Sequence, residues 1–135
     1  MNWFTLLTTL KLSGMSAIKF TVPMEPRPAP RVASNGKQRY ELAWYREYKD
    51  RLANFAKLAM HGRAPLTGNV KFYAECYRNR NPASRNFGDW DNHGKAICDA
   101  LNGICFTDDA AIVNGQVWLF KGTPHIVIEL EELPC

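Results

Sequence analysis

Residues Phe87–Ile112 read FGDWDNHGKAICDALNGICFTDDAAI. From Asp91 to Asn102 the pattern predicts a helix. Ile97, Cys98 and Leu101 recur at spacings of three and four and run on into Ile104 and Cys105, while Lys95, Asp99 and Asn102 take the other face. Asp91 or Asn92 is placed to cap its start, and Gly103 to follow its end, where glycine tolerates a left-handed backbone. Asp89 and Asp91 lie two apart in the extended chain leading in, so both carboxylates share a face and can reach one cation. Asp109, past the turn that follows the helix, can return to the same place. Magnesium takes oxygen ligands and keeps several waters, so a few carboxylates and a substrate phosphate suffice to hold it. Bound there, it would lower the pKa of a water and neutralise charge developing on a phosphate. Lys95 stands one helical turn beyond Asp91 on the same face, where its ammonium could steady that charge too.

Working outward, Ile112–Lys121 and His125–Leu130 predict a terminal pair of strands joined by Gly122-Thr123-Pro124. Upstream, Arg78–Gly88 is a polar, basic loop, and Asn69–Tyr77 alternates as a strand. Glu41–Met60 has helical periodicity through Leu42, Tyr45, Tyr48, Leu52, Phe55, Ala56 and Ala59, with Gly62 as a stop; Trp44, Tyr45 and Tyr48 read as core. Ile18–Val22 is a first strand. Four prolines in the eight residues Pro23–Pro30 predict that Pro23–Lys37 is an exposed, extended loop, with a turn at Asn35-Gly36. The order is β-α-β-α-β-β: a single small α+β domain with a mixed or antiparallel sheet and helices packed on it.

A chain of 135 residues suits one domain, and 46% hydrophobic with 22% charged residues excludes a largely disordered one. The net charge of +4 suits a polyanionic partner. Basic residues gather at Arg27, Arg31, Lys37, Arg39, Arg46, Lys49 and Arg51 and again at Arg78, Arg80 and Arg85, the second group leading into the acidic cluster. The four cysteines form no C-x-x-C pair, which suits a reduced, cytoplasmic protein. His93, Cys98 and Cys105 match no familiar zinc spacing. Residues 1–14 carry Trp3, Phe4, Leu6 and Leu7 but lack a basic signal region and the length to span a bilayer. They read as a dispensable leader or upstream extension, with the domain at 15–135 and no membrane partner.

The motif D-x-D-N-x-x-K-x-x-x-D-A-L followed by a D-D pair is met by Asp89, Asp91, Asn92, Lys95, Asp99, Ala100, Leu101, Asp108 and Asp109. It resembles the RusA family of Holliday-junction resolvases, and the P-x-P-A-P-R run with Gly36 and Tyr40 resembles that family's N-terminal loop. The resemblance covers about Ile18 to Leu130. It implies a Mg²⁺-dependent endodeoxyribonuclease, with Mn²⁺ as a substitute, that resolves four-way DNA junctions in recombination and repair, in a cellular or prophage setting. It also implies a homodimer, two-fold like the junction it cuts. The catalytic set carried over is Asp89, Asp91, Lys95 and Asp109, the three aspartates being the metal ligands. Asn92, Asp99 and Asp108 are supporting residues. Arg27, Arg31, Lys37, Arg39, Arg78, Arg80 and Arg85 are the candidate DNA contacts, gripping phosphates without reading sequence.

Taken singly, Asp91 reads as an N-cap, Lys95–Asp99 as an ion pair one turn apart and Asp108-Asp109 as a turn. Asp99 fits a structural role, paired with Lys95 or a backbone group, and His93 reads as a solvated surface residue. Two other classes fit less of the pattern: a binding protein of the same fold that has lost cleavage or prefers flaps, and a phosphatase acting on small substrates.

Overall fold

The computed structural model describes residues 7–12, 15–30, 33–34 and 39–134. Its strands are β1 (Leu7–Leu12), β2 (Met15–Val22), β3 (Ala33–Ser34), β4 (Arg39–Tyr40), β5 (Val70–Arg78), β6 (Ile112–Lys121) and β7 (His125–Glu132). Two helices, α1 (Ala43–Met60) and α2 (Trp90–Leu101), complete the α+β domain. β2, α1, β5, α2, β6 and β7 follow one another in the order the sequence predicts. None of the described helices is long and apolar enough to cross a membrane.

The main sheet has five strands in the order β1-β2-β7-β5-β6. β6 and β7, read from sequence as a terminal pair, are separated by β5, which pairs antiparallel with β7 and parallel with β6. The connection between them arches over the end of β5, where the Gly122 N–H donates to the Arg78 carbonyl at 3.0 Å. Parallel neighbours need a long crossover, and α2 with its flanking loops supplies it between β5 and β6. The helix therefore lies against β6, so close that a Cβ on Gly94 would meet Val117 at 2.9 Å.

One face of the sheet carries the core. Val70, Phe72, Ala74 and Cys76 of β5, Ile126, Ile128 and Leu130 of β7, and Ile18, Phe20 and Val22 of β2 are all buried, in the strict alternation that a strand imposes. α1 covers them with Tyr45, Tyr48, Leu52, Ala56 and Ala59, and α2 with His93, Ala96, Ile97, Ala100 and Leu101. Burying each of the valine, leucine, isoleucine and phenylalanine side chains among them contributes roughly 1.5–3 kcal/mol. α1 ends on a left-handed His61 followed by Gly62, and α2 is followed by Gly103, also left-handed, as expected at a C′ position.

Two segments differ from their sequence reading. The proline-rich segment is extended, but it runs along the body of the protein, with Met24, Pro26 and Ala29 buried. It is held there by the Arg27 N–H on the Tyr48 hydroxyl (3.1 Å) and the Ala29 N–H on the Asn92 carbonyl (2.9 Å). Proline's missing N–H groups are no penalty where there is no ladder to join. The turn expected at Asn35-Gly36 lies outside the described residues, between the paired β3 and β4.

Residues 7–12, within the segment read as a leader, form β1 and pair antiparallel with β2 at the sheet edge. The first core strand also begins at Met15 rather than Ile18. We propose that residues 1–14 are dispensable for folding, because β2 keeps β7 as a partner without them. Their deletion leaves a cooperatively unfolding protein, checked by circular dichroism through a thermal melt; a truncated chain that is insoluble or molten would make β1 part of the essential sheet.

Candidate active site

The acidic motif stands at the start of α2. Asp89, rather than Asp91 or Asn92, is the N-cap residue: it is extended, and its carbonyl accepts the His93 N–H at 3.1 Å. Its carboxylate makes no capping bond. Asp91 sits in the first turn, where the helix dipole favours a negative charge, and its Oδ1 accepts the Asn92 N–H at 2.9 Å. Asp91, Lys95 and Cys98 follow one another along a single line of the helix surface. Asp89, Asp91 and Lys95 are exposed, and among the described residues none of them enters an ion pair.

Asp99 is structural, with a different partner from either one expected. Its Oδ2 accepts the Tyr45 hydroxyl at 2.8 Å, tying α2 to α1. Burial and then this carboxylate push the Tyr45 phenol well above its ordinary range. Asn92 holds the proline-rich segment through its carbonyl. Asp108 precedes the 3-10 turn Asp109–Ala111, and both aspartates are exposed. Asp109 is close enough to act on the Cys98 thiol, which burial first, then Asp99 and Asp109, push up to about 12. Cys98 lies two turns along α2 from Asp91, about 10 Å of helix. The two ends of the acidic set therefore flank one helix face.

His93, read as a surface residue, is 1% exposed. Its Nε2 lies 2.8 Å from the Phe87 carbonyl, which fixes that nitrogen as the protonated one, and its ring meets Phe87 edge-on. Among the described residues its Nδ1 is buried without a hydrogen-bond partner. Burial lowers its pKa below the usual 6.5. Arg78, expected to face DNA, is 7% exposed. Its Nε donates to Glu25 at 3.0 Å, and its Nη1 donates to the carbonyls of Asn86 (3.2 Å) and Phe87 (2.7 Å). The parity of β5 was a legible signal for this, since Arg78 continues the inward series Val70, Phe72, Ala74, Cys76. His93 had no such signal beyond its place one turn before the buried Ile97. Gly88, also passed over in sequence, has φ +96°, and a Cβ there would lie 2.6 Å from Pro28 and 3.0 Å from His93 Nε2.

The remaining basic residues are dispersed. Arg80 is exposed and donates to the Asn86 carbonyl at 2.8 Å, and Arg85 is exposed on the same loop. The Arg27 guanidinium stacks 3.8 Å over the half-buried Trp44 ring. Arg31 and Lys37 lie outside the described residues, as does the side chain of Arg39.

Asp89, Asp91 and Asp109 offer the hard carboxylate oxygens that magnesium prefers, exposed and, among the described residues, unclaimed by cations. No three potential ligands are already gathered around one point among the described residues. The donor chemistry fits a cation that draws the rest of its shell from water and substrate. The described cysteines belong to no such group either, and burial pushes the Cys76 and Cys105 thiols up to about 12.

Exposed carboxylates at a helix start, on a one-sided α+β sheet and beside a basic loop, make a layout suited to phosphodiester chemistry on nucleic acid. The family model for endodeoxyribonuclease RusA matches residues 23–131, and the chain belongs to that family. The match leaves β1 and the whole of β2 outside it and takes in the whole acidic motif. No curated protein matches the chain.

The buried His93 has a consequence for stability. Its folded pKa is depressed, so below about 6.5 the unfolded chain binds the proton more readily, and stability falls as the pH drops. His93→Gln, which keeps a donor for Phe87, flattens that part of the profile in urea titrations between pH 7.5 and 5.5. An unchanged slope would show that other groups govern it.

Proposed function

We propose that the protein is a metal-dependent endodeoxyribonuclease that resolves four-way DNA junctions in recombination and repair. The observation that carries this reading is that Asp89, Asp91 and Lys95 at the α2 start are all exposed and, among the described residues, enter no ion pair, in a chain of the RusA family. Asp89, Asp91 and Asp109 would hold Mg²⁺, or Mn²⁺ in its place, which when bound supplies Lewis-acid stabilisation of the phosphate and a water of lowered pKa. Lys95 places a mobile ammonium beside the same phosphate, where it meets charge that grows in the transition state. Asp108 stands next to Asp109 and supports it from the preceding extended residue.

The partner is branched DNA, gripped through its phosphates. Arg80 and Arg85 are the exposed pair on the loop that feeds the motif, and Arg27 presents a cation held flat on Trp44. Two symmetric nicks call for two sites, which a homodimer supplies. Exposed Trp90 (59%), Val113 (58%) and Trp118 (53%) on and beside the edge strand β6 support such an association, and sedimentation velocity measures it directly.

Asp91→Asn abolishes Mg²⁺-dependent cleavage of a synthetic junction by more than about a hundredfold, beyond what changes outside the ligand shell usually cost. Junction binding stays or tightens, because one fewer anion faces the phosphates. Near wild-type cleavage would remove Asp91 from the site. A linear duplex run beside the junction separates a resolvase from a nuclease without branch preference. Replacing Arg80 and Arg85 together by alanine weakens binding to unrelated junction sequences by a similar factor. It also shallows the logarithmic salt dependence by up to about 2 units, near 0.9 per phosphate contact. A loss confined to one junction sequence would make them base readers.

A further inference from the structure

One peptide carbonyl gathers two buried donors. The Phe87 oxygen accepts Arg78 Nη1 at 2.7 Å and His93 Nε2 at 2.8 Å, two bonds for its two lone pairs. Both donors come from rigid elements, Arg78 from the last residue of β5 and His93 from the first turn of α2. Arg78 also spans to Glu25 and to the Asn86 carbonyl, and the Asn92 carbonyl holds Ala29. Between the gripped carbonyl and Asp89 stands only Gly88, whose positive φ and contact with Pro28 leave no room for a side chain. A loop free to wander is thus pinned at the residue that aims the acidic pair. Among the described residues, no hydrogen bond of this grip goes to the exposed Asp89 or Asp91 carboxylate.

We propose that Arg78 and His93 are positioning residues, which set the placement of Asp89 and Asp91 for metal binding by clamping the Phe87 carbonyl. This rests on the reading of the acidic pair as metal ligands. Arg78 contributes a charge-assisted bond, stronger than a neutral one. The neutral histidine supplies the second direction, without which the peptide can swing about the first. Groups that orient ligands from outside the ligand shell typically hold about tenfold or more of the metal affinity.

The test is Mn²⁺ uptake by the full chain, read as loss of the free-ion paramagnetic resonance signal, with circular dichroism confirming the fold. His93→Leu keeps the volume and removes the unpartnered Nδ1 together with the donor, and it weakens Mn²⁺ binding about tenfold. His93→Gln keeps an N–H within reach of Phe87 and restores binding to within about twofold of wild type. Arg78→Lys keeps the buried charge but cannot reach Glu25 and Phe87 together, and it weakens binding by a route that does not depend on His93 folding variants. Metal-free junction binding stays unchanged in all three. Wild-type uptake matched by His93→Leu and Arg78→Lys overturns the clamp alone, as does equal weakening by Leu and Gln, which would make packing the cause. A wild-type chain that takes up no Mn²⁺ removes the ligand reading itself and the clamp's role with it.

Discussion

Arg78 occupies a position on β5 that its neighbours give to Val70, Phe72, Ala74 and Cys76, and at that position a side chain goes into the core. An ionised guanidinium taken out of water is tolerated only when its hydrogen bonds are satisfied. The surroundings answer that demand with three acceptors from two separate parts of the chain: the Glu25 carboxylate from the proline-rich segment, and the Asn86 and Phe87 carbonyls from the loop before α2. The path of both segments follows from it. The proline-rich run lies against the body, and the basic loop closes to bring Gly88 against Pro28. Because Gly122 reaches the Arg78 carbonyl, even the arch from β6 to β7 is anchored at this residue.

From that anchor the character of the site follows. The core-facing side of the α2 start is tightly held through His93 and the close approach of Gly94 to Val117, whereas Asp89, Asp91 and Lys95 are exposed to solvent and, among the described residues, have no ionic partners. Held backbone with unclaimed charges is what a site for a polyanionic ligand requires, since each functional group keeps its placement yet spends none of its charge internally. Asp99 shows the contrast on the same helix: it points toward α1 and is consumed by Tyr45.

Much of this was legible in one dimension. Periodicity gave α1 and α2 to within two residues at each end, and alternation gave β5 with its inward face. Asp89, Asp91 and Lys95 are exposed, while Asp99, read from sequence as paired with Lys95 or a backbone group, bonds Tyr45 instead. The misreadings share a cause. His93 and Arg78 are polar residues with partners six to fifty-three positions away, so although the parity of β5 turns Arg78 inward, no local pattern announces the partners that let either be buried. Prolines were read as exposed because they refuse a ladder, yet Pro26 is buried against a surface that contributes no ladder at all.

The sequence by itself determined which segments are helix and strand, because hydrophobic period and turn residues act over a few neighbours, and it determined the order of the acidic motif along the chain. Only the tertiary structure decided that β5 lies between β6 and β7, since strand order depends on which crossover packs α2 on the sheet rather than on any strand's own residues. It also decided that the proline-rich segment is held to α2, and that Arg78 turns inward while Arg80 and Arg85 remain on the surface. These outcomes depend on satisfying buried charge and backbone polarity across distant segments, a requirement that exists only once the chain has closed on itself.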